Sequence, residues 1–582
     1  MEYTITDGFE EFQGTVSNMH GFVNRFLDTG FKTKWSGFWV PPYKFLDYYA
    51  LEVNGTWLNG ETLEKVDYGE NMVFHHRTDC LSVKEIVSSP SDLPGFRVSL
   101  VVMNRTDGPK AVHTVLETGV DIRHKSNDVP DRSYTMEKDR RKAIVSSGDR
   151  HIRIGADRNI EYSGEPHVKE HFPGTRQVCF VPGKMGLKAE IGPEDSERIV
   201  IDFSTSDPRY GEIEEMDNEV ELDIIGRSFD AAEDSLLNLV YDRKGKGIIA
   251  GHPWFQEYWS RDMFWSLLGL IDAGYFEIAH DILDNYASQQ NFPNKILLED
   301  EHGGYLGDDV PPLFIIAADK LKKFYSISES TEAKMKEAME DLEIHDDVTV
   351  IHSGKGTWMD TLEREKSVEI QSLWLEAAKR MGSQRKIALS KGLDKFVREG
   401  WIEDFSGSDS RTVNGVVPLM FGHLEEDEVL DNMNRELITE YGAATLSKEA
   451  EDYNPAGYHT GSTWGLSTCW LASANLEMGR TDRGMDLLYR MSEKLDEDQP
   501  GAFPEVVNSE TGENLGCTEQ AWSAGMFINA VDSYLFGIHV DDGELKADPA
   551  DGFTGTRKHK RFGDEFYTVR VEEGDAMIEK EE

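Results

Sequence analysis

Two acidic residues sit where bond-breaking chemistry would want them. Asp360 follows Thr357-Trp358-Met359 just ahead of a predicted helix start, where an aromatic neighbour helps desolvate the carboxyl and raises its pKa toward general-acid duty. Glu505 follows Phe503-Pro504; proline lacks a backbone donor and holds the preceding residue extended, so the next carboxylate is presented on a fixed turn. Glycosidic hydrolysis needs two carboxyl groups of this kind, one protonated to assist departure and one ionised to activate water or attack carbon, and they need not be close in sequence. Taken alone, either residue reads as an ordinary loop acid. Their neighbours say more. HPWFQEYWSRDMFW, GTWMD, GYHTGSTWG and GAFPEVVNSETGENLGCTEQAW place aromatics beside carboxylates and Arg at helix starts and in loops. Pyranose rings offer apolar faces for stacking and a rim of hydroxyls for planar Arg and carboxylate partners. Core packing explains about half of such Trp and Tyr residues individually, but explains the Arg-Asp and Asp beside them less well.

The elements that must position these residues change character along the chain. Up to about residue 222, short alternating segments are cut by turns such as Asn54-Gly55 and Asn59-Gly60, which predicts an antiparallel β-sandwich over 1–222. From SFDAAEDSLLNLVYDR onward the spacing is helical, behind a Ser228 cap. DMFWSLLGLIDAGYFEIAHDILDNYASQQ reads as two helices hinged at Gly274. VEIQSLWLEAAKRMG with RKIALSKGLDKFVREG, and STWGLSTCWLASANLEMG with DRGMDLLYRMSEKL, read as further hairpins. Recurring helical hairpins over 223–540 imply a helical solenoid or a closed toroid, and the lack of a fixed period favours the toroid. Residues 541–582 return to a short strand-rich tail.

Charge narrows the partners. Asp and Glu number 108 against 61 Lys and Arg, a formal balance of −47, while 39% of residues are hydrophobic and 12 are Trp, so the acid belongs to the surface of a folded protein. Such a field repels phosphate backbones and anionic lipid, which argues against nucleic acid and membrane partners. It fits adaptation to a salty cytoplasm or an ordinary acidic cytosolic protein. Cys80, Cys179, Cys469 and Cys517 form no CxxC pair and read as reduced thiols. MEYTITDGFEEF has neither a basic nor an apolar leader region, which predicts a cytoplasmic location. His75-His76 near Cys80 point to opposite faces of a strand, so no metal is expected. HSGKGT lacks the phosphate-loop spacing, and the basic run Arg557 to Arg561 reads as neutralising nearby carboxylates.

WSRDMFWSLLGLIDAG, GGYLGDDVPPLFIIA, GTWMD, VEIQSLW, YHTGSTW and PEVVN…GCTEQAWS, in that order, resemble the C-terminal glucosidase region of glycogen debranching enzymes, the amylo-α-1,6-glucosidase family, and more distantly microbial glucoamylases. The resemblance spans roughly residues 245 to 535. It implies an (α/α) barrel of six helical hairpins, with the site in its loop-lined mouth, preceded by a β-sandwich. It implies Asp360 as general acid, Glu505 as general base, and Arg261 with Asp262 as a clamp on the terminal glucose. Tyr305 and Asp309 would contact substrate, and Trp259, Trp358, Glu369, His459, Trp464, Gln520 and Trp522 would complete the pocket. Only TLEREKSV separates Asp360 from Glu369, a shorter stretch than the family carries.

The expected activity is exo-acting hydrolysis that releases glucose from an α-glucan or malto- or isomalto-oligosaccharide, at an α-1,6 branch stub, with inversion and no cofactor. An α-1,4-glucosidase or trehalase on the same scaffold, a glycoside phosphorylase and a noncatalytic glucan-binding protein are the alternatives. Oligomeric state is not legible.

Overall fold

The computed structural model of the protein describes residues 2–126, 133–172, 177–205, 213–298 and 307–581. Two compact units are present. The first comprises Met1–Ile213, Val240–Lys244 and Asp496–Gly501, and the second Glu214–Leu239, Gly245–Leu495 and Ala502–Glu582.

In the first unit, alternation dictates strands. Met72–Arg77 and Leu81–Ser88 pair antiparallel and bury every second residue, so one face of each is committed to the core and the register is set. They belong to a sheet that runs from Tyr3–Ile5 at one edge to Thr135–Lys138 at the other; a second sheet is built around the long strand Lys110–His124. The inner faces share one core, with the Phe38 ring 5.1 Å from Phe96 and the Tyr49 ring 5.7 Å from Phe203. This is the sandwich-like architecture expected for the N-terminal region. His75 contacts Asp67 at 2.7 Å and His76 contacts Thr62 at 2.9 Å, each on its own side of the strand.

The second unit carries twelve α-helices among its described residues: α1 (Asp223–Asn238), α2 (Ser260–Asp272), α3 (Phe276–Ala287), α4 (Val310–Phe324), α5 (Glu329–Asp341), α6 (Val368–Arg380), α7 (Lys386–Leu393), α8 (Val417–Met420), α9 (Asp427–Leu437), α10 (Gly465–Glu477), α11 (Thr481–Glu493) and α12 (Ala521–Asn529). The first starts earlier than the sequence suggests. Ser228 lies inside α1 rather than capping it, its Oγ donating to the Ile224 carbonyl at 2.7 Å, and Ile225 extends the buried stripe toward the N-terminus. Val240–Asp242, expected as the helix end, is a short strand. Gly274, at φ +91°, is the hinge between α2 and α3, a conformation that only glycine adopts without strain.

The even-numbered helices differ from the odd ones in a way their sequences explain. Every residue of α2 is buried, and α10 is buried from Leu466 to Leu476, as expected of helices that are apolar or small all round. By contrast α11 buries only Gly484, Leu487, Leu488, Met491 and Ser492, one stripe of a surface helix. Packing follows the same division: α2 contacts α4, α4 contacts α6, α6 contacts α8, α8 contacts α10, α10 contacts α12, and α12 contacts α2. The last contact needs small residues. A Cβ on Gly269 would meet the Gly525 carbonyl oxygen at 2.0 Å, and one on Gly525 would meet the Ser266 Cα at 2.6 Å. No described helix is long and apolar enough to cross a membrane.

The C-terminal strands Gly555–Phe562, Glu565–Glu572 and Asp575–Lys580 form a sheet with Glu219–Glu221. The basic run on the first of them reaches the C-terminal end of α2. Lys560 Nζ donates to the Asp272 carbonyl at 2.6 Å and to Asp532 Oδ2 at 2.9 Å, Arg557 Nε donates to Asp532 Oδ1 at 3.0 Å, and Arg561 Nη1 donates to the Gly274 carbonyl at 3.0 Å. Cations at a helix C-terminus meet the negative end of its dipole. Lys560, Asp272 and Asp532 are fully buried, and Lys320 and Arg557 still pair the two carboxylates when Lys560 is removed. Lys560→Met therefore takes away charge-assisted hydrogen bonds without stranding an anion and is expected to destabilise the fold by roughly 1.5–3 kcal/mol, measured by denaturant unfolding.

Candidate active site

The N-terminal ends of the even-numbered helices carry most of the residues singled out from sequence. Trp259, Arg261 and Asp262 stand at the start of α2, Asp309 immediately precedes α4, Glu369 is in the first turn of α6, Trp464 precedes α10, and Gln520 and Trp522 flank the start of α12. Two-residue ladders hold three of these entries: Tyr258–Trp259 pairs with Lys295–Ile296, Thr463–Trp464 with Val506–Val507, and Gly251–His252 with Glu519–Gln520. Backbone carbonyls from neighbouring segments satisfy the first helical N–H groups. Ser260 N donates to the Asn294 carbonyl at 2.8 Å, Val368 N to Asp404 at 3.0 Å and Ala521 N to Ala250 at 2.9 Å.

Arg261 is the central cation. Its buried guanidinium donates through Nε to Asp309 Oδ2 and through Nη2 to the Gly356 carbonyl at 3.4 Å, and its Nη1 lies 3.9 Å from Asp360 Oδ2. The next residue, Asp262, accepts from Gln520 Nε2 at 2.9 Å. Burial pushes Asp262 up to about 8 against the pull of Arg261, with the Glu505 charge adding to the rise. Burial likewise raises Asp309, although Arg261 opposes it.

Glu505 is 2% exposed and lies in the loop ahead of Val506–Val507. Its Oε1 accepts from the Tyr458 hydroxyl and its Oε2 from the Cys517 N–H at 3.0 Å. Burial outweighs both donors and pushes its pKa up to about 7. Asp360, by contrast, has a side chain 49% exposed, and partial burial raises its pKa while Arg261 lowers it. One carboxyl is enclosed and held by two donors; the other faces solvent beside a cation.

Aromatics line the same region. Trp358 meets His459, Trp464, Trp470 and Trp522 edge-on, with ring centroids 5.5, 5.5, 5.3 and 6.4 Å away, and His459 stacks on Trp464 at 5.3 Å. Burial, then Arg364 and Arg261, push His459 down to about 3, so the imidazole is neutral at ordinary pH. Its Nδ1 lies 2.6 Å from Thr361 Oγ1, next to Asp360. Trp259 stands apart from that cluster, with Lys295 Nζ 5.0 Å over its ring.

Glu369 has a different setting from the pocket role the resemblance implies. Both its oxygens are taken by Arg364, Oε2 at 3.2 Å, and burial pushes its pKa up to about 6. Tyr305 lies outside the described residues. Tyr458, Arg364, Asp404 and Asn414 were not singled out from sequence. Tyr458 adjoins His459 in YHTGSTW and Arg364 lies in the short TLEREKSV, so segment identity pointed to both without indicating a role. Among the described residues, Asp309 Oδ1, Gln520 Oε1, His459 Nε2 and Trp522 Nε1 are buried without a hydrogen-bond partner. Such atoms are costly unless a ligand or water satisfies them.

Glu505 bears on stability as well as chemistry. Its pKa rises from 4.5 to about 7 on folding, so the folded protein binds more protons in that window, and stability falls as pH climbs through it. Glu505→Gln is therefore expected to raise the unfolding free energy at pH 8 by roughly 1–3 kcal/mol and to change it little at pH 4, as compared by melts at the two pH values.

Residues 231–400 match the family model of amylo-alpha-1,6-glucosidase, and residues 369–523 match that of the mannosylglycerate hydrolase MGH1-like glycoside hydrolase domain. Among solved structures, a human-microbiome protein described as a kojibiose phosphorylase aligns over 100% of this chain and 95% of its own, at 9% identity and TM-score 0.63, a likeness of fold. A GH63 mannosylglycerate hydrolase from Thermus thermophilus, in complex with glucose, aligns over 52% of this chain and 99% of its own, at 11% identity and TM-score 0.42. A wild-type glycosidase aligns over 53% and 97%, at 15% identity and TM-score 0.42. No curated protein matches the sequence. The two family models overlap at 369–400 and together take in the segments that carry Arg261, Asp360 and Glu505, and on that ground the chain is a glycoside hydrolase-like enzyme.

Proposed function

We propose that the chain is an exo-acting glucosidase that removes a terminal glucose from an α-glucan, at an α-1,6 branch stub, and that its ring of even-numbered helices is the inner wall of a six-hairpin (α/α) barrel. One observation carries this reading. Arg261, Asp262, Asp309 and Gln520 form a buried polar cluster with unpartnered oxygens, beside an aromatic wall and between two carboxyls of opposite exposure. A pyranose supplies the hydroxyls that such oxygens lack and the apolar face that such a wall accepts.

In the proposed mechanism, Asp360 gives its proton to the departing glycosidic oxygen. Substrate that covers its exposed side removes further water and raises its pKa, which keeps the proton on until cleavage. Glu505 takes a proton from the attacking water, and Tyr458 and the Cys517 N–H favour its ionised form. Arg261 and Asp262 hold the sugar hydroxyls, and no cofactor is needed.

Panose, isomaltose, maltotriose and trehalose distinguish the linkages, and fastest turnover is expected on an α-1,6 bond. Mannosylglycerate belongs in the panel because the MGH1-like model covers the Glu505 segment. Much faster maltotriose turnover would contradict the debranching preference, and glucose 1-phosphate formed in phosphate buffer would make the enzyme a phosphorylase. Asp360→Asn and Glu505→Gln are each expected to lower glucose release by about 10²–10⁴-fold; unimpaired release removes that residue from its role, and a folded protein that binds glucan without turnover is a binding module.

Tyr458→Phe tests the assignment of acid and base. Loss of its donor raises the Glu505 pKa above about 7, so less base is ionised at acidic pH. For a shift of about half a unit, kcat/KM is expected to fall about threefold at pH 6 and to change little at pH 8. A rise at pH 8 would instead make Glu505 the acid.

A further inference from the structure

We propose that Arg364 is a positioning residue for Asp360, locking the turn that carries it so that the carboxyl meets the departing oxygen; this rests on Asp360 as the general acid. Arg364 follows Asp360 by four residues and is almost fully buried. Its Nη2 donates to Thr357 Oγ1, three residues before Asp360, and to Glu369 Oε1 in the first turn of α6. Its Nη1 donates to Glu369 Oε2 at 3.2 Å and Asp404 Oδ1 at 2.8 Å, and its backbone N–H to the Gly354 carbonyl at 2.7 Å.

The guanidinium therefore joins both ends of the turn to two other segments. A second path leads back to it. Asp404 Oδ1 also accepts from Thr412 Oγ1 at 2.8 Å and Asn414 Nδ2 at 2.7 Å, and Asn414 Oδ1 accepts from Trp358 Nε1 at 2.7 Å, two residues before Asp360. Thr357 and Trp358 are thus both tied to one buried ionic cluster, while Asp360 itself is half exposed, with Arg261 Nη1 3.9 Å from its carboxyl and a local backbone hydrogen bond. A solvent-facing acid gains its geometry from the turn beneath it. A planar five-donor fork can hold Thr357, Glu369 and Asp404 together; an ammonium cannot reproduce that fork. Glu369 accordingly serves the acid-bearing turn through Arg364 rather than the sugar directly.

Misplacing an acid penalises substrates whose leaving group needs a proton more than those whose leaving group departs unaided. The test compares isomaltose with α-glucosyl fluoride for Thr357→Val, Arg364→Lys, Arg364→Gln and Asp360→Asn in the full chain. Thr357→Val removes only the tie to the turn and leaves both carboxylates paired, so it separates positioning from folding. Thr357→Val and Arg364→Gln are expected to lower kcat on isomaltose by about 10- to 100-fold with KM nearly constant, to lower fluoride hydrolysis less than about threefold, and Arg364→Lys to fall between wild type and Arg364→Gln. Asp360→Asn should show the same imbalance, larger. Equal losses on both substrates in Thr357→Val, or no loss, overturn the proposal whatever Asp360→Asn does. An Asp360→Asn variant without the imbalance refutes Asp360 as the acid, and the positioning of that acid falls with it.

Discussion

The site depends on one buried cation. Arg261 faces Asp309, Asp262 and Asp360, and the Glu505 charge acts on Asp262 from beyond, so a single guanidinium serves a region with four carboxyls. Burying three of these anions, Asp262, Asp309 and Glu505, around one cation is costly, and protons relieve the cost: Asp262 reaches about 8 and Glu505 about 7. Arg261, Asp262 and Asp309 are held at helix starts, Glu505 immediately ahead of a short ladder, and Asp360 on a turn. A neutral, hydroxyl-rich ligand suits this balance because it brings donors and acceptors without another charge to be desolvated.

How far the sequence went depended on the range of the interaction being read. The division into alternating strands and helical hairpins was legible because period 2 and period 3.6 patterns are local, and Gly274 marked its hinge for the same reason. The start of α1 was misplaced because Ser228, whose type suggests a cap, satisfies its hydroxyl on the preceding turn instead. Arg261, Asp262, Asp309, Gln520 and the Trp358 cluster are brought together, although nothing in their spacing requires it. Glu369 shows the limit. Its place in a motif identified the segment, but the partner that takes its oxygens is five residues earlier, in a stretch where the sequence carries only an unremarkable run of charges. Tyr458 and Asn414 escaped for a related reason: their partners, Glu505 and Trp358, are 47 and 56 residues away, and only the folded ring brings them into reach.

Asp360 and Glu505 reach their elevated pKa values by different routes. Glu505 is enclosed, so desolvation dominates and two donors moderate it. Asp360 keeps about half its side-chain surface exposed, so its remaining desolvation must come from whatever covers the mouth. In the proposed mechanism, substrate binding and proton placement are thereby coupled: the ligand that needs the acid is also what dehydrates it.

The charge of −47 acts on these two groups unequally. At least six of the 61 cations are spent inside: Arg25 with Glu85, Lys44 with Asp47, Arg261 with Asp309, Arg364 with Glu369 and Asp404, and Arg557 and Lys560 with Asp532. Burying matched pairs leaves the whole imbalance on the remaining groups, with fewer cations to offset it. A surface of that sign raises the pKa of any carboxyl in contact with solvent, by an amount that mobile ions screen within a Debye length of roughly 10 Å at 0.1 M salt. Asp360 is in reach of that screening, whereas Glu505, 2% exposed and bonded on both oxygens, answers mainly to its fixed neighbours. Added salt therefore lowers the pKa of the solvent-facing carboxyl more than that of the enclosed one, so ionic strength bears on the proposed acid while the proposed base is set by the fold.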